Sequence, residues 1–247
     1  MVHTGSAKSL ITFMDVNVAR QEICRVGKSL FERGYVHSSA GNISVRLKDG
    51  FLITPTDAVL GFLDPTRISK VDINGNHISG DKPSKTLALH QSIVAAAMQS
   101  YPNTACVIHT HSTYCVATSI QEDRETALDA NHENGLVFKE LLYPITPYFV
   151  MKVGHVPLIP YRRPGDTQVV REVSEVISLY AQKGTPIRSI MLSALGPMVW
   201  HDSPAKAMAT LEELEESAKL SFLTAPHSSR LKESQIQELR DVFKAVW

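Results

Sequence analysis

The sequence predicts a mixed α/β domain built in layers, and three observations carry that prediction. Stretches with period-two alternation mark strands, as in "GNISVRLKDGFLITPT", where Ile43, Val45 and Leu47 alternate and Asp49-Gly50 makes a hairpin turn. Stretches with 3.6-residue apolar spacing mark helices, as in "VNVARQEICRVGKSLFERGY" with Val18, Ile23, Val26, Leu30 and Phe31. Strand pairs and helices also follow one another along the chain without a repeat, a low-complexity segment or a Pro/Gly-rich linker. The expectation is one domain spanning residues 1–247.

Taken in order, the first helix ends at Gly34, a residue suited to the left-handed turn that closes a helix. After the hairpin, "DKPSKTLALHQSIVAAAM" opens a second helix, with Ser84 as the expected N-cap and Leu87, Ile93, Val94 and Ala97 on its apolar face. "ACVIHTH" reads as a short buried strand, and "STYCVATSI" as a helix starting at Ser112. "FVMKVGHVPLIPY" reads as a strand pair or extended segment, and "PIRSIMLSALGPMVW" as strands around Gly196-Pro197. "SPAKAMATLEELEESAKLSFLTA" is a helix with Ser203 as N-cap and Pro204 at its first position. A last helix runs from about Ser234 to the end, and the acidic run Glu212, Glu213, Glu215 and Glu216 is expected on a solvated helix face.

Composition narrows the function classes. Hydrophobic residues make up 43% and charged residues 20%, ordinary values for a soluble globular protein. Twenty-five basic and 25 acidic side chains cancel, so net charge makes no case for nucleic acid or an anionic membrane. "MVHTGSAKSLITFMDV" lacks the apolar core of a signal peptide, and there is no run of 18 apolar residues, which predicts no membrane span. Cys24, Cys106 and Cys115 are odd in number and sit among apolar residues, the pattern of reduced thiols in the cytoplasm.

The chemistry is expected in "CVIHTHSTYC". Residues two apart on a strand share a face, so His109 and His111 present two imidazoles side by side, a two-point grip on Zn²⁺ or Mn²⁺. The competing reading makes one a helix-end residue and the other an ordinary polar side chain. Ser84 and Lys85 open a helix, where unpaired amides favour an anion, although turn and cap duty also explains them.

The ordered segments "SAGNISVR", "ITPT", "GDKPSK…H", "VIHTHS" and "PYRRPGDT" resemble the class II aldolase/epimerase family over roughly residues 18 to 243. "ERGYVHSSAGNIS", "LGFLDPTRISKV", "TPYFVMKVG", "VPLIPYRRPGD" and "LEELEESAKL" resemble its 3-oxo-tetronate 4-phosphate decarboxylase branch. The resemblance implies a three-layer αβα sandwich around a mostly antiparallel sheet and a homotetramer with active sites between neighbouring subunits. It also implies a divalent metal, zinc or manganese, held by three histidines. His109 and His111 match the first two, and the third position is Leu195 in "SALGP". The family's acid/base glutamate is Thr86 here, and the glycine after "TPT" is Asp57. Asn42 and Thr56 match positions that contact phosphate, and Tyr148 matches a tyrosine that donates a proton in a neighbouring subunit's site.

His155 is a candidate substitute ligand, its other reading being a partly exposed loop histidine. "RRPGD", Arg162 to Asp166, is preferred as a turn entering a helix over an anion clamp, and His90 as a capped or core histidine. The expected function is a metal-dependent carbon–carbon lyase of the decarboxylase type, acting on a small sugar acid through a metal-stabilised enediolate. Losing the glutamate at 86 harms decarboxylation less than aldol cleavage, since carbon dioxide leaves without prior proton removal. The alternative is a catalytically degenerate relative that keeps the scaffold for binding or assembly.

Overall fold

The computed structural model describes residues 13–121, 128–129, 137–224 and 229–247. Most of the amino-terminal stretch read for a leader lies outside them.

Helix α1 (Val16–Glu32) starts where the Asp15 carboxylate accepts the Asn17 and Val18 amides at 2.9 and 3.2 Å. It ends at Arg33, with Gly34 at φ 75° and the Tyr35 amide donating to the Leu30 carbonyl at 2.9 Å. Its buried face is Ala19, Ile23, Val26, Gly27 and Leu30, and Val18 points outward. Strands β1 (Asn42–Arg46) and β2 (Gly50–Ile53) form the expected hairpin, followed by β3 (Ser69–Asp72) and β4 (His77–Ser79).

Next come α2 (Leu87–Ala97), β5 (Cys106–His109), α3 (Thr113–Gln121) and a small separate pair, β6 (Leu128–Asp129) with β7 (Val137–Phe138). The remaining elements are β8 (Leu158–Ile159), α4 (Gln168–Gln182), β9 (Ser189–Leu192), β10 (Gly196–His201), α5 (Pro204–Thr224) and α6 (Glu233–Phe243).

Eight strands form one sheet in the order β4-β3-β2-β1-β5-β10-β9-β8. Every pairing is antiparallel except β8 with β9. Period-two alternation divides the core in two. Cys106 and Ile108 face a cluster with Ile23, Leu30, Leu211 and Leu214, from α1 and α5. Val107, Met198 and Trp200 face a second cluster with Ile93, Val94, Val173 and Val176, from α2 and α4. The three-layer αβα sandwich is therefore present. Each fully buried aliphatic side chain contributes about 1.5–3 kcal/mol to holding the layers together.

Three local expectations need correction. "FVMKVGHVPLIPY" is not a strand pair: Phe149–Val153 is a π-helical turn, and only Leu158–Ile159 enters the sheet. An unbroken apolar run carries no period to tell these apart. Ser84 does not cap α2; Thr86 occupies the cap position without a side-chain cap bond, and the Ser84 hydroxyl lies 3.0 Å from that of Thr86. Glu215 is not solvated. It is buried on α5, and its carboxylate accepts the Tyr114 and Cys115 amides at 2.8 and 3.0 Å, closing the amino end of α3. β9 and β10 lie where strands around Gly196-Pro197 are expected, with Gly196 opening β10. The three cysteines are free thiols, and among the described residues no helix is long and apolar enough to cross a membrane.

Candidate active site

The carboxyl end of β5, at the middle of the sheet, gathers most of the residues singled out above. His109 and His111 lie side by side, ring centroids 5.0 Å apart. His109 is buried, and its Nδ1–H donates to the Pro197 carbonyl on β10 at 2.9 Å. That bond fixes the tautomer and leaves the Nε2 lone pair free. Burial, then the neighbouring His111, pulls the His109 pKa down to about 4. His111 is also lowered, by burial first and then by His37. Both rings are thus neutral near pH 7, the form that binds a metal.

On the β1 side the site is polar and closed. Asn42 pairs with His109 across the β1–β5 ladder. From α2, His90 reaches between the strands; its Nε2–H donates to Asn42 Oδ1 at 2.5 Å, and Ser44 Oγ–H donates to its Nδ1 at 2.8 Å. Both ring nitrogens are satisfied, and burial, with His109 nearby, lowers the His90 pKa to about 3. His90 is thereby a neutral core residue that holds Asn42 in place.

On the β9–β10 side the site is largely apolar. Thr86, Leu89, Val169, Leu192, Ser193 and Leu195 line a cavity of about 100 Å³, together with Arg162 and Arg163. Leu195 packs toward the α2–α4 cluster. The next residue, Gly196, lies against the end of β5: a Cβ there would sit 2.1 Å from the Thr110 carbonyl oxygen. Position 195 is therefore beside the histidine pair, although its side chain offers no donor. Thr86 and Leu195, read as departures in separate roles, meet in this one cavity. Arg162 is paired with Glu172, and Asp166 N–H closes a turn onto the Arg163 carbonyl at 3.0 Å. The turn reading of "RRPGD" is right, and the turn also brings Arg163 to the cavity.

The loops around Thr56 and Ser84 run together, with Ser84 N–H donating to the Thr54 carbonyl at 3.2 Å and Thr56 N–H to that of Lys82 at 2.9 Å. Thr56 lines a separate cavity of about 300 Å³ with Asp57, Asp64, Arg67 and Asp81. Arg67 is taken up by Asp81 at 2.8 Å, so the carboxylates outweigh the cations there. Asp57 keeps a left-handed backbone, φ 58°, the conformation a glycine adopts at least cost. Lys85 is exposed.

Two residues are not brought to the pair within one chain. Tyr148 is 60% exposed and shares a cavity of about 590 Å³ with Arg188 and His201. His201 pairs with Cys106, at the opposite end of β5 from His109. His155 precedes β8 at that same far end, stacked on Trp247 at 4.4 Å and 3.2 Å from Glu140. The residue that sequence reasoning missed is His37, whose ring centroid lies 6.3 Å from that of His111.

The pair fits two positions around a divalent ion. Among the described residues, no three His, Cys, Asp or Glu side chains stand close enough, as placed, to close around one.

Residues 21–222 match the family model described as Class II Aldolase and Adducin N-terminal domain. The chain belongs to the class II aldolase family. Similar members include the 3-oxo-tetronate 4-phosphate decarboxylase of Cupriavidus necator, 46% identical, with 92% of this chain and 97% of that protein aligned. The protein of the same name from Escherichia coli K12 is 39% identical over 90% of this chain and 94% of its own. Among solved class II aldolase structures, YgbL from Escherichia coli superposes with a TM-score of 0.75 at 36% identity, covering 91% of this chain and 99% of that one. An L-fuculose 1-phosphate aldolase shares the fold, with a TM-score of 0.72 at 21% identity over 94% of this chain and 98% of that one.

Proposed function

We propose that this protein is a metal-assisted carbon–carbon lyase that decarboxylates a small phosphorylated 3-oxo sugar acid. The observation that carries the reading is the neutral, side-by-side His109–His111 pair, with His109 Nε2 free, at the end of the central strand. The names of the relatives supply the substrate class.

His109 and His111 would hold the ion, which when bound supplies Lewis acidity toward the substrate's oxygens. Asn42, with its oxygen engaged by His90, has its amide N–H groups left to donate to the substrate. Ser84 and Thr86 add hydroxyls. Arg163, which lines the cavity of Thr86, and the exposed Lys85 would meet an anionic end, whereas Thr56 would have to act from its separate, carboxylate-rich cavity. In a 3-oxo acid the C1–C2 bond breaks with its electrons moving toward the C3 oxygen. Carbon dioxide leaves, and C2 afterwards takes one proton. A threonine hydroxyl is too weak a base for aldol cleavage, so Thr86 orients rather than abstracts.

Tyr148 would deliver the proton to a neighbouring subunit's site in a cytoplasmic homotetramer. Its exposure and its place at the far end of the sheet support that role over one in its own site. The chain would act as one domain, since its sheet draws strands from residues 42 to 201.

The test supplies 3-oxo-tetronate 4-phosphate to the purified protein after incubation with Zn²⁺ or Mn²⁺. Carbon dioxide release with a three-carbon keto-phosphate product, lost in His109→Ala, is the expected result. The second reading, a binding protein without catalysis, is favoured by Thr86 and Leu195, neither of which replaces the chemistry of the residue it stands for. Metal binding without turnover of this substrate or of L-fuculose 1-phosphate would establish it.

A further inference from the structure

We propose that His37 is the third nitrogen donor of the divalent-ion site, in place of a side chain at position 195. This rests on the metal-assisted reading above and names the donor which that reading lacks.

Two imidazoles on one tetrahedral ion place their ring centres about 5 Å apart, and the His109–His111 separation of 5.0 Å meets that requirement. The His37 ring lies 6.3 Å from His111, edge toward it at 77°. It is therefore on the order of 1 Å farther than a shared ion requires. Among the described residues its ring makes no hydrogen bond and the side chain is exposed, so a change of rotamer toward the pair breaks no hydrogen bond.

The backbone carrying His37 is, by contrast, held in place. Ala40 N–H donates to the His37 carbonyl at 3.0 Å, and Ser38 sits in the left-handed region at φ 51°. Gly41, at φ 84°, presses on the end of β5 so closely that a Cβ there would lie 2.9 Å from the His109 carbonyl oxygen. The loop from 36 to 41 is thus fixed against the strand that bears the pair, and it carries an imidazole that makes no hydrogen bond among the described residues. Ser38, Asp57 and Ala194, three of the four non-glycine residues with positive φ among those described, lie on loops that follow α1, β2 and β9.

The other nearby donors are spent. His90 has both nitrogens bonded, and Glu215 caps α3. His155 lies at the opposite end of the sheet, against Trp247. Three ligating imidazoles would leave the ion its full charge and an open position for substrate oxygens.

The test is calorimetric titration of the intact protein with Zn²⁺, repeated on His37→Ala, His37→Gln, His109→Ala and His37→Ala/Leu195→His. Thermal denaturation confirms that each variant is folded. The expected result is at least a tenfold loss of affinity in both His37 variants, a larger loss in His109→Ala, and recovery in the double variant. Affinity in the His37 variants within twofold of the starting protein, with loss only in His109→Ala, overturns the role of His37 and leaves the pair standing. Absence of Zn²⁺ binding by the starting protein overturns both this proposal and the metal-assisted reading.

Discussion

Around the end of β5, two sides of one site are held by different forces. On the β1 side, Asn42, His90 and Ser44 form a buried chain in which each ring nitrogen has a partner. On the β9–β10 side, Thr86, Leu195 and Leu192 line a small apolar cavity against the α2–α4 core. Hydrogen bonds in a low-dielectric interior are directional, and removing one member strands the others. Apolar contacts are not directional, so similar volumes exchange at little cost. The polar side therefore resists change one residue at a time, whereas the apolar side accommodates it. Of the three positions read as departures from the family's pattern, 86 and 195 lie on the apolar side, and the third, Asp57, lies in the separate cavity beside Thr56.

The strongest way to break this comparison is His90→Leu. It leaves the Asn42 oxygen and the Ser44 hydroxyl without their ring partner, and it should cost about 2–4 kcal/mol in urea unfolding. A loss below 1 kcal/mol would mean that the chain is ornamental.

A second test is pH. The His90 pKa is about 3 in the folded protein against an ordinary 6.5. Between those values the unfolded chain takes up a proton that the folded one refuses. Stability is then unaffected by this group above pH 6.5 and falls as pH drops toward 3. The slope reaches at most about 1.4 kcal/mol per pH unit, roughly 2 kcal/mol between pH 6.5 and 5. His109, at about 4, acts in the same direction. Urea midpoints that stay level from pH 7 to 5 would contradict the neutral, buried assignment.

The smallest effect belongs to Leu195→Met, which should change stability by less than about 1 kcal/mol. A cost above 2 kcal/mol would show the apolar wall to be as tightly specified as the polar side.

Much of this was legible from residue order alone. Gly34 and Ser203-Pro204 each use local chemistry that survives without tertiary context, and each sits where expected. The β1–β2 hairpin forms with its turn one residue earlier, at Lys48-Asp49, and Gly50 opens β2. The His-Thr-His spacing likewise delivered adjacent rings. What escaped depends on contacts far apart in the chain. Glu215 looked like one acid in a solvated run, because the amides it serves lie 100 residues away on α3. His37 carried no signal of its own, since its closeness to His111 arises only when the loop after α1 folds against β5. The π-helical turn at Phe149–Val153 was hidden in an apolar run without a readable period.

The tight approach of Gly196 to the Thr110 carbonyl has a practical consequence for anyone redirecting this scaffold to other reactants. A mutant library spanning 194 to 197 would waste most of its members at 196, where any side chain drives the hairpin off the central strand. Randomising 86 and 195 together, with 196 left untouched, varies the pocket while sparing its frame.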